Sequence, residues 1–411
     1  MLVGTNPLPD FVVAEYLLNN NSSLREIFLL YSEETQLQRG TKAYADNLQK
    51  ILMEHHGEKN LIFHEIPLAD ISSAQEIERD LKKKLAKKLK TASSVHLNYT
   101  GGTKAMGIHV YRWFEGYSKE TNITATFSYL DARTFQIVTD SEGRITDDLR
   151  NHVKLNLNEL LTLHGFKKEK VVTDEINLFN DAMTKFKEKV DQCKIADYFH
   201  CYKRESFVDE KGRLIRTIKD FKKNLEKNTF KPQGAFLEIV LALPEDYRIF
   251  DNNGLFKEPK SNRYLEKTIE FLDGKWLEKY VYDVLKTGLC GDNVTIDMNW
   301  EMKKPTWSSP NQRFELDVIL MKGYQLIGIS CTTASSKHLC KSKGFEIFMR
   351  TRQIGGEEAR AVLVTRLSNS HKDELQAELE VDTGGKENIL VLGADDLKDY
   401  ILVERMRDFM R

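Results

Sequence analysis

The stretch Asn98-Tyr99-Thr100-Gly101-Gly102-Thr103-Lys104-Ala105-Met106 sets two glycines, two threonine hydroxyls and an ammonium side by side. It lies between Ser94-Val95-His96-Leu97, which reads as a buried strand, and a run from Gly107 to Phe114 that reads as a helix packed on a sheet. Adjacent glycines let the backbone approach a ligand closely. A helix N-terminus adds free N–H groups and the positive end of the helix dipole. The chemistry this suits is phosphate binding, although the spacing matches neither the P-loop nor the G-x-G-x-x-G fingerprint. At the chain start, Leu2-Val3-Gly4-Thr5-Asn6-Pro7-Leu8-Pro9-Asp10 predicts a short strand ending in another small, polar, proline-stiffened loop. In a doubly wound sheet, loops at strand C-ends gather into one crevice, so these two loops are expected to meet.

A different chemistry is signalled at Phe314-Glu315-Leu316-Asp317-Val318-Ile319-Leu320. Asp317 is an acid inside a strand that is otherwise apolar on both faces. An unpaired charge there is costly, so something cationic should compensate it. Glu315 lies on the same face of that strand.

With 411 residues the chain has room for two or three domains. Hydrophobic residues make up 41% of it and charged residues 30%, enough for cores under a soluble surface. Net charge is −1, so no global basic field announces nucleic acid, though a local basic groove can hide in a neutral total. The five cysteines form no C-x-x-C pair and suggest neither a disulfide framework nor a zinc ribbon, which points to a reducing cytoplasm. No apolar run is long enough to span a membrane, and the N-terminus lacks a signal-peptide pattern.

Residues 1–150 alternate strand-like and helix-like segments, which predicts a parallel sheet covered by helices. Within them, Leu81, Leu85 and Leu89 form a core-facing stripe that leaves the lysines from Lys82 to Lys90 on a solvated face. Residues 151–230 are rich in Lys, Glu and Asp with helical periodicity and read as a connecting region or small wing. His152, His164 and His200 lie there without metal-ligand spacing. From residue 231 to 411 the order is helix (Gly274 to Leu285), strands (Asn293 to Met302, Arg313 to Met321, Tyr324 to Thr332), helix (Lys341 to Arg352) and strand (Ala361 to Thr365).

The pair of motifs VGTNPLP and NYTGGTKAM resembles the CARF sensor domains of CRISPR-associated proteins, and the α-β-β-β-α-β order resembles the PD-(D/E)xK nuclease half of CARF-fused nucleases. The fold class implied is α/β: an N-terminal Rossmann-like CARF domain (1–150), a helical connecting region (151–230) and a C-terminal restriction-endonuclease-like domain (231–411). The resemblance implies a homodimer whose two crevices join into one pocket for a cyclic oligoadenylate, cyclic tetraadenylate by symmetry or cyclic hexaadenylate as its competitor. It places Thr5 and Asn6 against base or ribose and Thr100, Gly101, Gly102, Thr103 and Lys104 on phosphate, with Pro7 and Ser32 completing the ligand loops.

In the nuclease half, the resemblance makes Asp317 the first strand acid and Glu278, in GKWLE, the helix acid. With Cys331 they are implied as ligands for Mg or Mn. The family's Glu-x-Lys falls at Ser330-Cys331-Thr332, where neither carboxylate nor amine is present. The expected replacements lie on the following helix: Lys337, Lys341 or Lys343 for the amine, Lys341 foremost, and Glu346 for the second carboxylate. The implied activity is metal-dependent cleavage of DNA, RNA or both in type III CRISPR defence. The rivals are a non-catalytic sensor with a degenerate nuclease domain and a ring nuclease that degrades its own ligand.

Overall fold

The structure, a computed structural model, describes residues 1–36, 38–171, 177–305 and 313–411. The first third builds β1 (Leu2–Val3), α1 (Leu8–Asn20), β2 (Glu26–Ser32), α2 (Lys42–His55), β3 (Ile62–Leu68), α3 (Ala74–Asp80), β4 (Ser94–Asn98), α4 (Lys104–Thr121), β5 (Thr124–Asp131), β6 (Gln136–Thr139) and β7 (Gly143–Arg144). Strands β1, β2 and β3 pair in parallel, as do β4 and β5, with β6 and β7 added antiparallel. The two sheets share one core, in which Leu2 of β1 and Leu97 of β4 pack with Met106 and Val110 of α4. The leucine stripe is buried as expected, but the helix carrying it starts at Ala74, and Leu81–Leu85 is wound as a π-helical turn.

The middle of the chain forms α5 (Leu157–Leu163), β8 (Lys167–Val171), α6 (Asn180–Asp191), α7 (Ile195–Tyr202), α8 (Ile218–Asn228) and α9 (Gly234–Leu241). The last part follows as α10 (Asn262–Glu270), α11 (Trp276–Gly288), β9 (Val294–Lys303), β10 (Phe314–Lys322), β11 (Gln325–Cys331), α12 (Lys337–Gly355), β12 (Arg360–Val364), α13 (Asn369–Thr383), β13 (Ile389–Leu392) and α14 (Asp399–Met410). One sheet in the order β13-β12-β11-β10-β9-β8 organises it, parallel among β11, β12 and β13 and antiparallel elsewhere.

Each face of this sheet buries a different partner. Val318, Leu320, Ile327 and Ile329 pack against α11 and an aromatic helical layer in which Phe186 stacks on Trp276 at 4.2 Å. That layer runs without a break from α6 through α9 into α11, so residue 231 marks no gap in packing. On the other face, Leu326, Ile354 and Ala361 share a core with Val3, Leu8 and Phe11 of the first domain. Arg150, where the first domain is expected to end, is 2% exposed and donates to Gln325 Oε1 and to the Met410 carbonyl. The two halves are therefore welded through a common core rather than hung on a linker.

Candidate functional sites

The two loops anticipated at the front of the chain do meet. A Cβ on Gly4 would lie 2.9 Å from the Gly102 nitrogen, and one on Gly101 would strike the Leu2 carbonyl. Gly101 is thus fixed by close approach, and Gly102, at φ +76°, by a backbone conformation that L side chains rarely take. Thr103 caps α4 by accepting from the Met106 N–H, and Thr100 Oγ1 accepts from the Leu130 N–H at 2.7 Å. Thr5, Thr103 and Lys104 are exposed.

Two of the expected ligand contacts are corrected. Ser32 is buried, and its hydroxyl is spent on the Arg39 carbonyl and the Thr41 hydroxyl, closing the loop after β2. Asn6 turns its side chain away from the loop surface. Its Oδ1 accepts from Leu8 N–H and lies 3.1 Å from His164 Nε2, and its Nδ2 donates to Glu358 at 3.3 Å. Pro7 is buried at the start of α1. Of the first loop, Thr5 is exposed and Gly4 partly so.

Beneath Gly101 lies a buried carboxyl that the sequence did not announce as functional. Both oxygens of Asp10 are shielded from solvent without a hydrogen-bond partner among the described residues. Burial pushes its pKa up to about 7, against the pull of the N-terminal ammonium and with a further push from Glu358. Glu358, also buried, is raised to about 7, and burial lowers His164 to about 4, so the imidazole is neutral.

The second site is built where α11 meets β10 and β11. A five-residue π-helical turn, Phe271–Lys275, joins α10 to α11, a device often found at functional sites. It presents Lys275 to the first turn of α11. Lys275 Nζ donates to Glu278 at 2.8 Å and to Glu315 at 3.4 Å. Asp317 Oδ2 accepts from the Cys331 N–H at 2.8 Å and from the Ser330 hydroxyl at 3.1 Å. Burial, aided by the nearby Asp317 charge, pushes Glu278 up to about 8. Burial likewise raises Asp317, opposed by the Cys331 N–H and by Lys275. Burial works against the Lys275 charge, yet Glu278 and Glu315 hold its pKa above the ordinary value. A cleft of about 580 Å³ opens on this group, lined by Lys275, Glu278, Glu315 and Asn299 among others.

The compensating cation demanded by Asp317 is therefore Lys275, three residues before Glu278, and the expected replacements are corrected. Lys337 pairs with Glu374 and Glu378, Lys341 with Glu378 and Asp382, and Lys343 with Glu346. The cause is helix packing. The side of α12 carrying Lys337 and Lys341 lies along acidic α13, and Glu346 is exposed. Burial and the neighbouring Asp317 raise the Cys331 thiol well above the ordinary range, and its backbone N–H donates to Asp317.

Among the described residues no cluster of three or more His, Cys, Asp or Glu side chains is gathered to hold a metal ion. The donor set nevertheless suits a hard divalent cation, because carboxylate oxygens are what such ions take. The Asp317 charge raises Glu278, Glu315 raises Asp317, and one ammonium serves all three acids.

Comparison with known proteins identifies the two domains in which these groups lie. Residues 1–160 match the family model described as the Card1 CARF domain, and residues 265–401 match that of the Card1-like endonuclease domain. The chain joins a CARF domain to a Card1-like endonuclease domain. The CARF domain holds the glycine-bearing loops, and the endonuclease domain holds Lys275, Glu278 and Asp317. VC1899 from Vibrio cholerae is similar in fold at a TM-score of 0.61, 17% identical, covering 99% of this chain and 97% of that one. Can2 from Sulfobacillus thermosulfidooxidans, solved in complex with cyclic tetra-adenylate, is similar at 0.60, 16% identical, covering 100% and 98%. No curated protein matches the chain.

Proposed function

We propose that this protein is a cyclic oligoadenylate-activated nuclease of type III CRISPR defence, with cyclic tetraadenylate as activator. The observation that carries the nuclease reading is the gathering of Glu278, Asp317 and Lys275 where α11 meets β10, with Lys275 and Glu278 lining the adjoining cleft of the endonuclease domain. The similarity in fold to Can2, which was solved with cyclic tetra-adenylate, supports the activator. Two CARF domains in a homodimer would bring their exposed Thr5, Thr103 and Lys104 together around the ring, Thr5 toward base or ribose and Thr103 and Lys104 toward phosphate. Glu278 and Asp317 would hold Mg or Mn. When bound, such an ion polarises the scissile phosphate and lowers the pKa of water. Lys275 offers a fixed positive charge to the phosphate as negative charge builds on it. DNA, RNA or both serve as substrate.

Activation fits the shared core of the two domains. A ligand shifts an equilibrium only by its differential affinity for two arrangements, and Asn6, next to Thr5, bonds to Glu358 of the endonuclease domain. A specific observation favours a second reading, a non-catalytic sensor: Ser330 and Cys331 stand where Glu-x-Lys is expected and occupy Asp317 Oδ2.

The test is cleavage of supercoiled plasmid and of single-stranded RNA in Mg and in Mn, with no activator, cyclic tetraadenylate or cyclic hexaadenylate. Cleavage only with metal and tetraadenylate is expected. Tight ligand binding without cleavage in either metal would establish the sensor, and linear products of the ring would establish a ring nuclease.

A further inference from the structure

Strand β9 changes face in its middle. Ile296 and Met298 pack with the core around α11, whereas Trp300 and Met302 pack with the core on the opposite side of the sheet. Strand β10 does the same: Leu316 belongs to the second core and Val318 to the first. The register runs Leu316 opposite Trp300 and Val318 opposite Met298, which puts Asn299 across from Asp317 at the point where both strands switch. Asn299 has φ +57°, the left-handed region, within a strand. Asn is among the few side chains that enter that region readily. Its carboxamide oxygen is shielded from solvent and has no hydrogen-bond partner among the described residues, and the residue lines the cleft with Lys275, Glu278 and Glu315.

A buried amide oxygen without a partner needs one. The site beside it lacks the third-strand glutamate that would complete a carboxylate set, since Ser330, Cys331 and Thr332 stand there. We infer that Asn299 is a ligand of the divalent cation held by Glu278 and Asp317, its neutral carbonyl oxygen replacing the missing carboxylate. Hard cations accept amide carbonyl oxygens alongside carboxylates. The face switch is what makes such a role possible: it leaves Asn299 lining the cleft at the position across from Asp317. The inference rests on the metal-dependent nuclease reading.

The test is Mn2+ titration of the full chain followed by electron paramagnetic resonance, which reads bound metal directly. Asn299→Gly keeps a residue at ease with left-handed backbone while deleting the oxygen. Asn299→Asp restores a carboxylate, and Asp317→Ala controls for the site itself. We expect Asn299→Gly to lose at least about tenfold in Mn2+ affinity, the scale on which metal sites respond to loss of a supporting group, and Asn299→Asp to bind more tightly than the wild type. Melting in metal-free buffer at or above the wild-type temperature would show that Asn299→Gly is folded. Wild-type affinity in Asn299→Gly, with binding lost in Asp317→Ala, would overturn the role of Asn299 and leave the nuclease reading standing. Wild-type affinity in all three variants, or no Mn2+ bound by the wild type, would overturn both.

Discussion

Lys275 Nζ lies 2.8 Å from the Glu278 carboxylate, three residues ahead of it across the junction between a π-helical turn and α11. The pair sets a carboxylate and an ammonium side by side on one helical run. Lys275→Ala should therefore reduce cleavage by about 10²-fold or more, the cost of losing one well-placed electrostatic donor, while cyclic tetraadenylate affinity stays unchanged. Lys341→Ala should cleave like the wild type, because that lysine is engaged by Glu378 and Asp382. Single-turnover rates decide the matter, and the reverse ranking of the two variants would return the lysine role to α12.

In the CARF domain, Lys104→Ala should weaken cyclic tetraadenylate binding without lowering thermal stability, because Lys104 is exposed at the first turn of α4. Ser32→Ala should leave that affinity unaltered, its hydroxyl being committed to Arg39 and Thr41. Calorimetric titration of the ring checks both. Unchanged affinity in Lys104→Ala would take the glycine-bearing loop out of the pocket.

Asn6→Ala should separate binding from activation. Its side chain joins His164 and Glu358 rather than the loop surface, so ring affinity should hold while ligand-stimulated cleavage falls several-fold. A loss of affinity with full stimulation at saturation would instead restore the contact with base or ribose.

Asp10 predicts an unusual pH dependence. An acid whose folded pKa is raised from 3.8 to about 7 binds more protons folded than unfolded between those values. Stability must then decline as pH rises through that window. Glu358, raised from 4.5 to about 7, adds the same sign. Each unit of pKa difference is worth about 1.4 kcal/mol, so Asp10 alone accounts for a few kcal/mol at most. Asp10→Asn should flatten the decline, and urea unfolding at pH 5 and pH 8 measures it. An identical slope in the variant would show that Asp10 is not the titrating group.

Phe186 stacks on Trp276 at 4.2 Å and 2° between ring planes, fixing the start of α11. Phe186→Ala should destabilise the protein by about 3–5 kcal/mol and reduce cleavage with it. Denaturant unfolding together with activity at low temperature would reveal a variant that keeps either one.

Local residue patterns were enough to read most of the sheet strands and the kinds of chemistry. Period-two and period-3.6 patterns place β2, β4, β9, β10, β11, β12 and α11 to within a few residues, whereas they do not assign α1, α13, β13 and α14. The two glycines of the Thr100–Lys104 loop fixed where a backbone can approach an anion, and an acid in an apolar strand required a cation. All of these are local properties of side chains and neighbouring backbone. Which groups meet depended on how the elements pack. Lys275 could not be chosen over Lys341 from spacing, because the choice depends on α12 lying against acidic α13 and on a π-helical turn that no residue pattern marks. Asn6 joins Glu358 across 352 positions and Asn299 stands opposite Asp317. Contacts of that separation arise from how sheets and helices stack, and packing of that kind is a property of the whole chain rather than of any stretch within it.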